Sequence, residues 1–309
     1  MISIDSLNKS YDNHHALKDL SLQIAKGEIF GLLGINGAGK TTLISILNGI
    51  SKKDAGTVLV DQFNIDQDLK KIKRISSLIP QKFAFYPTLT AYQNLEYFAA
   101  VNGYTGNTLK QRIHYAAETA RLSHVLEQKA TTFSGGLKRR LNLAIGLLTQ
   151  PKILYLDEPT AGVDPQTRAK LLDEIRTLST HEGMTIVYTS HYIEEVEYIC
   201  DHVAILHQGN IKLCEKKEVL LGRAPTICIK VDDLSVARPM LQTIDGLEVK
   251  HNSLCIPKSD HFEACLKMVL PILLEHQVRI IDIQQVTSRL EDIFIQLSRP
   301  LKADTRINK

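Results

Sequence analysis

The chain has 309 residues, 44% of them apolar, with 37 basic and 34 acidic side chains for a formal net charge of +3. That is enough apolar material for one large core or two domains, and the charge is too balanced for a nucleic-acid-binding face. The five cysteines, Cys200, Cys214, Cys228, Cys255 and Cys265, include no C-x-x-C pair. This argues against a disulfide framework and against a zinc site, and it predicts the reduced thiols of a cytosolic protein.

The opening stretch, "MISIDSLNKSYDNHH", carries charge early and lacks the apolar block of a signal peptide. From residue 1 to about 220, apolar runs alternate with helical patterns, the mark of an α/β unit. "GEIFGLLG" (27–34), "PKILYLDEP" (151–159), "MTIVYTSH" (184–191) and "DHVAILHQG" (201–209) read as strands. Between the first two lies a helical stretch near 90–130, opened by Thr90 and Gln93 as a capping box. It is expected to be a helical subdomain, about 83–145, inserted into the sheet-based core.

Gly222 and Pro225 in "LLGRAPT" mark a break, and the pattern changes after it. Strand, helix, a hairpin from "LEVKH" to "SLCIPK", a helix containing Pro271 and the strand "VRIIDIQQV" follow in the order βαββαβ. That order predicts a small α+β ferredoxin-like domain over 224–298, closing with the amphipathic "SRLEDIFIQL" and a polar, flexible tail at 299–309. The most lipid-like stretch, "ACLKMVLPILLEH", is too short to span a bilayer and is interrupted by Lys267 and Pro271. The expectation is a soluble chain with no direct membrane insertion. There is no internal repeat, so one nucleotide-binding half per chain is expected.

"GINGAGKTT" (34–42) fits G-x-x-x-x-G-K-[ST] between an apolar strand and a helix. The expectation for Gly34, Asn36, Gly37, Ala38, Gly39, Lys40, Thr41 and Thr42 is a backbone cradle for phosphate at a helix N-terminus. Lys40 then reaches the β- and γ-phosphates, and the Thr41 hydroxyl binds Mg²⁺. "ILYLDEP" ends a strand in two carboxylates, where open α/β sheets bind ligands. Asp157 is placed for the Mg²⁺ shell and Glu158 for polarising the attacking water. Ser134, Gly135 and Gly136 in "FSGGLKRR" form a second, lysine-free anion nest before a helix. One lysine-bearing site and one lysine-free nest suggest a head-to-tail pair of chains with ATP between them.

In this order, P-loop, "FSGG", "LDEP" and a later "SH" resemble the ATP-binding subunit of an ABC transporter, over residues 1–220. The resemblance implies an α/β P-loop ATPase that binds ATP and Mg²⁺. It implies that Tyr11 stacks on adenine, that Gln81 touches Mg²⁺ and the water, that Asp164 lies at the dimer interface and that His191 contacts the γ-phosphate. Read alone, these four have ordinary explanations: a half-buried loop tyrosine, a surface glutamine, a helix cap and a solvated histidine.

"FSGGLKRRLNLA" has Leu137 where the wider family usually has glutamine, and resembles the "FSGGMKRRL" form of bacterial type-two exporters. The tail "TSRLEDIFIQL" is similar to the "LED-F" ending of the same ATPases. The run Lys138-Arg139-Arg140 reads by default as a solvated helix face. Six of the 18 Phe and Tyr residues, Phe83, Phe85, Tyr86, Tyr92, Tyr97 and Phe98, crowd the stretch after Gln81. They are divided between core and a groove for a helix of an integral membrane permease. The resemblance therefore implies an ATPase powering export, peripheral on the cytoplasmic face of the inner membrane and paired with itself or a related subunit. The alternative, a soluble ABC-type ATPase acting on ribosomes or nucleic acid, usually has two ATPase halves, a long coiled coil or a basic arm.

Overall fold

The run of five buried residues Ile29–Leu33 is short, apolar on both faces and followed at once by glycine, as a central parallel strand must be. The computed structural model describes residues 1–221, 226–257, 262–286 and 290–298 and divides into two compact units, Met1–Lys216 and Lys217–Lys309. The break at Gly222 and Pro225, the start of the "TSRLEDIFIQL" tail and residues 299–309 lie outside the described residues.

The first unit opens with strands β1 (Ile2–Tyr11) and β2 (His14–Ile24), then β3 (Ile29–Leu33) and helix α1 (Lys40–Leu47). Next come β4 (Ala55–Val60), β5 (Phe63–Asn64), α2 (Leu69–Ile75) and β6 (Ser76–Ile79). Helices α3 (Ala91–Val101), α4 (Gly106–Thr119) and α5 (Gly135–Leu147) follow consecutively before the chain returns to the sheet at β7 (Ile153–Asp157). It continues through α6 (Pro165–Glu182), β8 (Thr185–Ser190), α7 (Ile193–Ile199), β9 (His202–His207) and β10 (Asn210–Lys216).

Two sheets result. β2-β1-β4-β5 is antiparallel, and β10-β9-β3-β8-β7-β6 is parallel except for β10 at its edge. The antiparallel sheet had no counterpart in the sequence reading. The expected strand runs became β3, β7, β8 and β9. Local chemistry fixes the helix starts. Thr90 and Gln93 form the capping box of α3 (N–H to oxygen, 3.1 and 2.9 Å), and Asp164 caps α6 ahead of Pro165. Gly183, at φ +66°, ends α6.

The second unit holds α8 (Lys217–Leu221), β11 (Thr226–Val231), α9 (Arg238–Leu241), β12 (Glu248–Lys250), β13 (Ser253–Pro257), α10 (Phe262–Glu275, with Pro271 inside), β14 (Ile280–Val286) and α11 (Leu290–Ser298). Its sheet order is β12-β13-β11-β14, all pairs antiparallel. This is the split βαβ arrangement of ferredoxin-like folds. Ile229, Val231, Leu254 and Ile256 from the sheet pack with Leu241, Cys265, Val269 and Leu273 from the helices.

One expectation is corrected here. The thiols are not all reduced: Cys228 and Cys255 form a disulfide, of which Cys200, Cys214 and Cys265 are not part. The two half-cystines are direct cross-strand partners in the β11–β13 register. They lie 27 residues apart in sequence, so no local motif announced them.

Candidate nucleotide site

The order of the parallel strands builds the site. β3, β8, β7 and β6 are consecutive neighbours, with Leu33 opposite Ser190, Asp157 opposite Thr189 and Ile79 opposite Leu156. The chain leaves the carboxyl ends of these strands as the 34–39 loop, His191, Glu158 and Gln81. Ligands sit at this end of an open α/β sheet.

In the loop, Gly37 and Gly39 take φ of +80° and +111°. A Cβ at Gly39 would also lie 2.6 Å from the Ala16 carbonyl oxygen, so glycine is required twice over. Asn36 is exposed at the tip, and Ala38 is buried. The N-terminus of α1 carries no side-chain cap, and the uncapped amides of a helix start suit an anion. Lys40 is 5% exposed. Its Nζ donates to the Gly34 carbonyl at 2.7 Å and lies 3.7 Å from Glu158 Oε1. Burial lowers the Lys40 pKa, and Glu158 and Asp157 oppose that shift.

Asp157 accepts hydrogen bonds from Thr41 Oγ1 at 3.2 Å and from Thr189 Oγ1 at 2.8 Å. Glu158, in the left-handed region at φ +47°, is held by its amide to Thr189 Oγ1 at 3.1 Å. Its carboxylate accepts from Gln81 Nε2 at 2.7 Å, and His191 Nδ1 lies 3.2 Å from Oε1. Lys40, Thr41, Asp157, Glu158, Gln81 and His191 thus converge. The uncapped helix start and Lys40 suit a polyphosphate, and the adjoining Thr41 and Asp157 oxygens suit Mg²⁺. When bound, that ion neutralises charge on the phosphates.

The remaining expected residues lie elsewhere. Tyr11 is exposed, its hydroxyl 3.1 Å from Ser51 Oγ and its ring under Lys9 Nζ at 5.1 Å. Ser134, Gly135 and Gly136 form a second group with Asp164. Ser134 Oγ caps α5 by accepting from the Leu137 amide at 3.3 Å, and Asp164 accepts from the Thr167 amide at 3.0 Å. A Cβ on Gly136 would stand 2.3 Å from Thr167 Cγ2, so this glycine lets α5 and α6 approach. Ser134 and Gly135 stay exposed.

Three sets of residues were missed. Thr189, two positions before His191, holds the Asp157 carboxylate and the Glu158 backbone amide. Glu195, 2% exposed, accepts from Thr160 Oγ1, Tyr188 OH and Ser190 Oγ at 2.7, 2.7 and 2.8 Å, and pairs with Arg168 Nε at 3.3 Å. It fastens the segment after Glu158 to the strand that leads to His191. The third is Arg139, which is buried rather than part of a solvated face. Arg140 pairs with Glu174 at 2.7 Å. Of the aromatics, Phe83, Tyr86 and Tyr97 are exposed and Phe85, Tyr92 and Phe98 are half-buried, so none belongs to the core.

Comparison with known proteins agrees with this geometry. The family model described as "ABC transporter" matches residues 17–161. The chain is 35% identical over 306 residues to the linearmycin resistance ATP-binding protein LnrL of Bacillus subtilis (strain 168), covering 96% of this chain and 98% of LnrL. The chain belongs to the ABC transporter ATP-binding family. YhcH of the same organism, an uncharacterized ABC transporter ATP-binding protein, is 32% identical over 315 residues, covering 99% of this chain and 98% of YhcH. Among solved structures, the dimeric post-hydrolysis state of the ATP-binding cassette MJ0796 bound to ADP and Pi superposes with a TM-score of 0.64 at 26% identity. It covers 70% of this chain and 99% of that one. This ABC subunit is an ATPase that uses ATP with Mg²⁺. Subunits of the family generally dimerise and pair with membrane permeases. Among the described residues, no helix of this one is long and apolar enough to cross a membrane.

Proposed function

We propose that this ABC ATPase powers export through a separate integral membrane permease, in the manner of bacterial type-two exporters, from the cytoplasmic face of the inner membrane. Residues 1–220 form its ATP-binding domain, with a helical subdomain over about 83–145, and 224–298 form an accessory domain. The "FSGGLKRRL" signature, the "RLEDIFIQL" ending and likeness to a relative named for linearmycin resistance support the exporter reading.

The observation that carries the mechanism is the convergence of Lys40, Gln81 and His191 on the Glu158 carboxylate. Lys40 and the amides of the 34–42 loop hold the β- and γ-phosphates, and Thr41 and Asp157 hold Mg²⁺ with Gln81. Glu158 takes the proton from the attacking water, and His191 contacts the γ-phosphate. Ser134, Gly135 and Gly136 of a second subunit close on that phosphate, Asp164 lies at the resulting interface and Tyr11 stacks on the adenine. Closure driven by ATP binding moves the exposed aromatics, Phe83, Tyr86 and Tyr97, and with them a helix of the permease seated there.

Glu158→Gln keeps ATP binding and lowers turnover by about 10²–10⁴-fold, the scale of a general base. Near-normal phosphate release from that variant overturns the assignment. The same variant, purified with ATP from solubilised membranes of its own cell, is expected to bring a multi-span membrane protein in stoichiometric amount. Recovery of ribosomes or nucleic acid instead overturns the transporter reading.

A further inference from the structure

Gln81 reaches Glu158 from a loop that leaves the edge strand β6, and the glutamine itself is exposed. An exposed side chain on a loop is aimed only as well as its backbone is held. Two residues one turn apart on α5 hold it. Asn142 donates from Nδ2 to the Pro80 carbonyl at 3.1 Å and accepts from the Ala84 amide at 3.0 Å. Arg139 donates from Nη1 to the carbonyl of Gln81 itself at 2.5 Å. Its other arm, Nη2, donates to the Ala161 carbonyl at 2.6 Å, three residues beyond Glu158. The Phe83 ring covers the guanidinium, with its centroid 4.7 Å from Cζ.

One buried cation thus bridges the two backbone segments that flank the Gln81–Glu158 contact. Burial pulls the Arg139 pKa down, and its Nε is buried without a hydrogen-bond partner. Both features are a poor choice for packing alone, where an apolar side chain of similar length would fill the same space. A planar fork is what two carbonyls on separate segments require, and an ammonium cannot reproduce it.

We propose that Arg139 is a positioning residue for ATP hydrolysis. It sets the distance and angle between the Gln81 carboxamide and the Glu158 carboxylate by holding both backbones. The inference rests on the role given to Glu158 above.

The test is steady-state hydrolysis by the full chain. Arg139→Lys is expected to lower kcat by about tenfold and leave KM for ATP within about twofold, because positioning acts on the chemical step. Added to Gln81→Ala, it is expected to cost less than about twofold more, since the two residues act on one contact. Asn142→Ala, which loosens the same loop without touching a buried charge, is expected to show the same kcat-selective loss and decides the matter if Arg139→Lys does not fold. Unchanged kcat in Arg139→Lys or Asn142→Ala, a loss confined to KM, or a full tenfold loss added to Gln81→Ala overturns the inference. Loss in Glu158→Gln with none in Arg139→Lys overturns the inference alone. Retained turnover in Glu158→Gln overturns it together with the reading beneath it.

Discussion

Helices α1 and α5 both begin beside glycines, and they are built for different ends. The start of α1 has no side-chain cap, two left-handed glycines and a buried lysine beside two carboxylates. The start of α5 is capped by Ser134, its glycines have ordinary backbone angles, and Arg139 turns to the carbonyls of Gln81 and Ala161 and Arg140 to Glu174. Glycine serves conformation in the first case and close packing in the second. The same letter in a sequence therefore reports two different constraints, and only the first sets a cation beside Asp157 and Glu158 at the helix start.

The largest expected effect breaks the comparison at that cation. Lys40→Met leaves Asp157 and Glu158 facing each other without it, and turnover falls by at least about 10²–10³-fold, the scale of one lost oxyanion-type donor. Phosphate release close to the parent rate would mean that the lysine does not distinguish the two helix starts.

A smaller effect sharpens the contrast between conformation and packing. Gly136→Ala places a methyl against Thr167 Cγ2 and is expected to destabilise the fold by about 1–3 kcal/mol, as overpacking does. Thr167→Ser removes that methyl group and is expected to restore most of the loss. Gly37→Ala meets nothing within 4 Å yet sits at φ +80°. Its cost, about 1–2 kcal/mol of left-handed strain, has no neighbour whose trimming relieves it. Thermal denaturation of the four variants checks this; relief by Thr167→Ser in the Gly37 background, or none in the Gly136 background, reverses the distinction.

The smallest effect concerns Asp164 at the start of α6, whose carboxyl is held below the usual 3.8 by hydrogen bonds from Thr167. A carboxylate with a lowered folded pKa adds stability above its unfolded pKa and loses it as pH falls through the folded value. The stability advantage over Asp164→Asn is thus expected to be flat near neutrality and to decline only below the ordinary aspartate range. An advantage independent of pH down to about 2 would show that the cap does not depend on charge.

The phosphate loop and the acidic strand end were legible because each is contiguous: strand, turn and helix follow one another, and one peptide carries the chemistry. Asp164 was legible as a cap, since it stands directly before Pro165 at a helix start. Arg139 was not, because three basic residues in a row look solvated. Helical spacing held the clue, since 136, 139, 143 and 147 fall on one face and all four are buried. The Glu195 cluster draws on Thr160, Arg168, Tyr188 and Ser190, brought together by strand adjacency that no local pattern encodes. The Cys228–Cys255 pair depends on cross-strand register and was missed for the same reason.

The stacking of Phe83 on Arg139 has an optical consequence. The chain contains no tryptophan, so its own emission comes from tyrosine. An indole introduced at Phe83, which is 43% exposed, is the lone red-shifted fluorophore and lies against a guanidinium that holds two backbone carbonyls of the catalytic region. Its colour and lifetime follow the cation beneath it. The cassette thus offers a place where the mechanical state of the nucleotide site can be watched from the surface, without a label and without disturbing a residue that touches ATP.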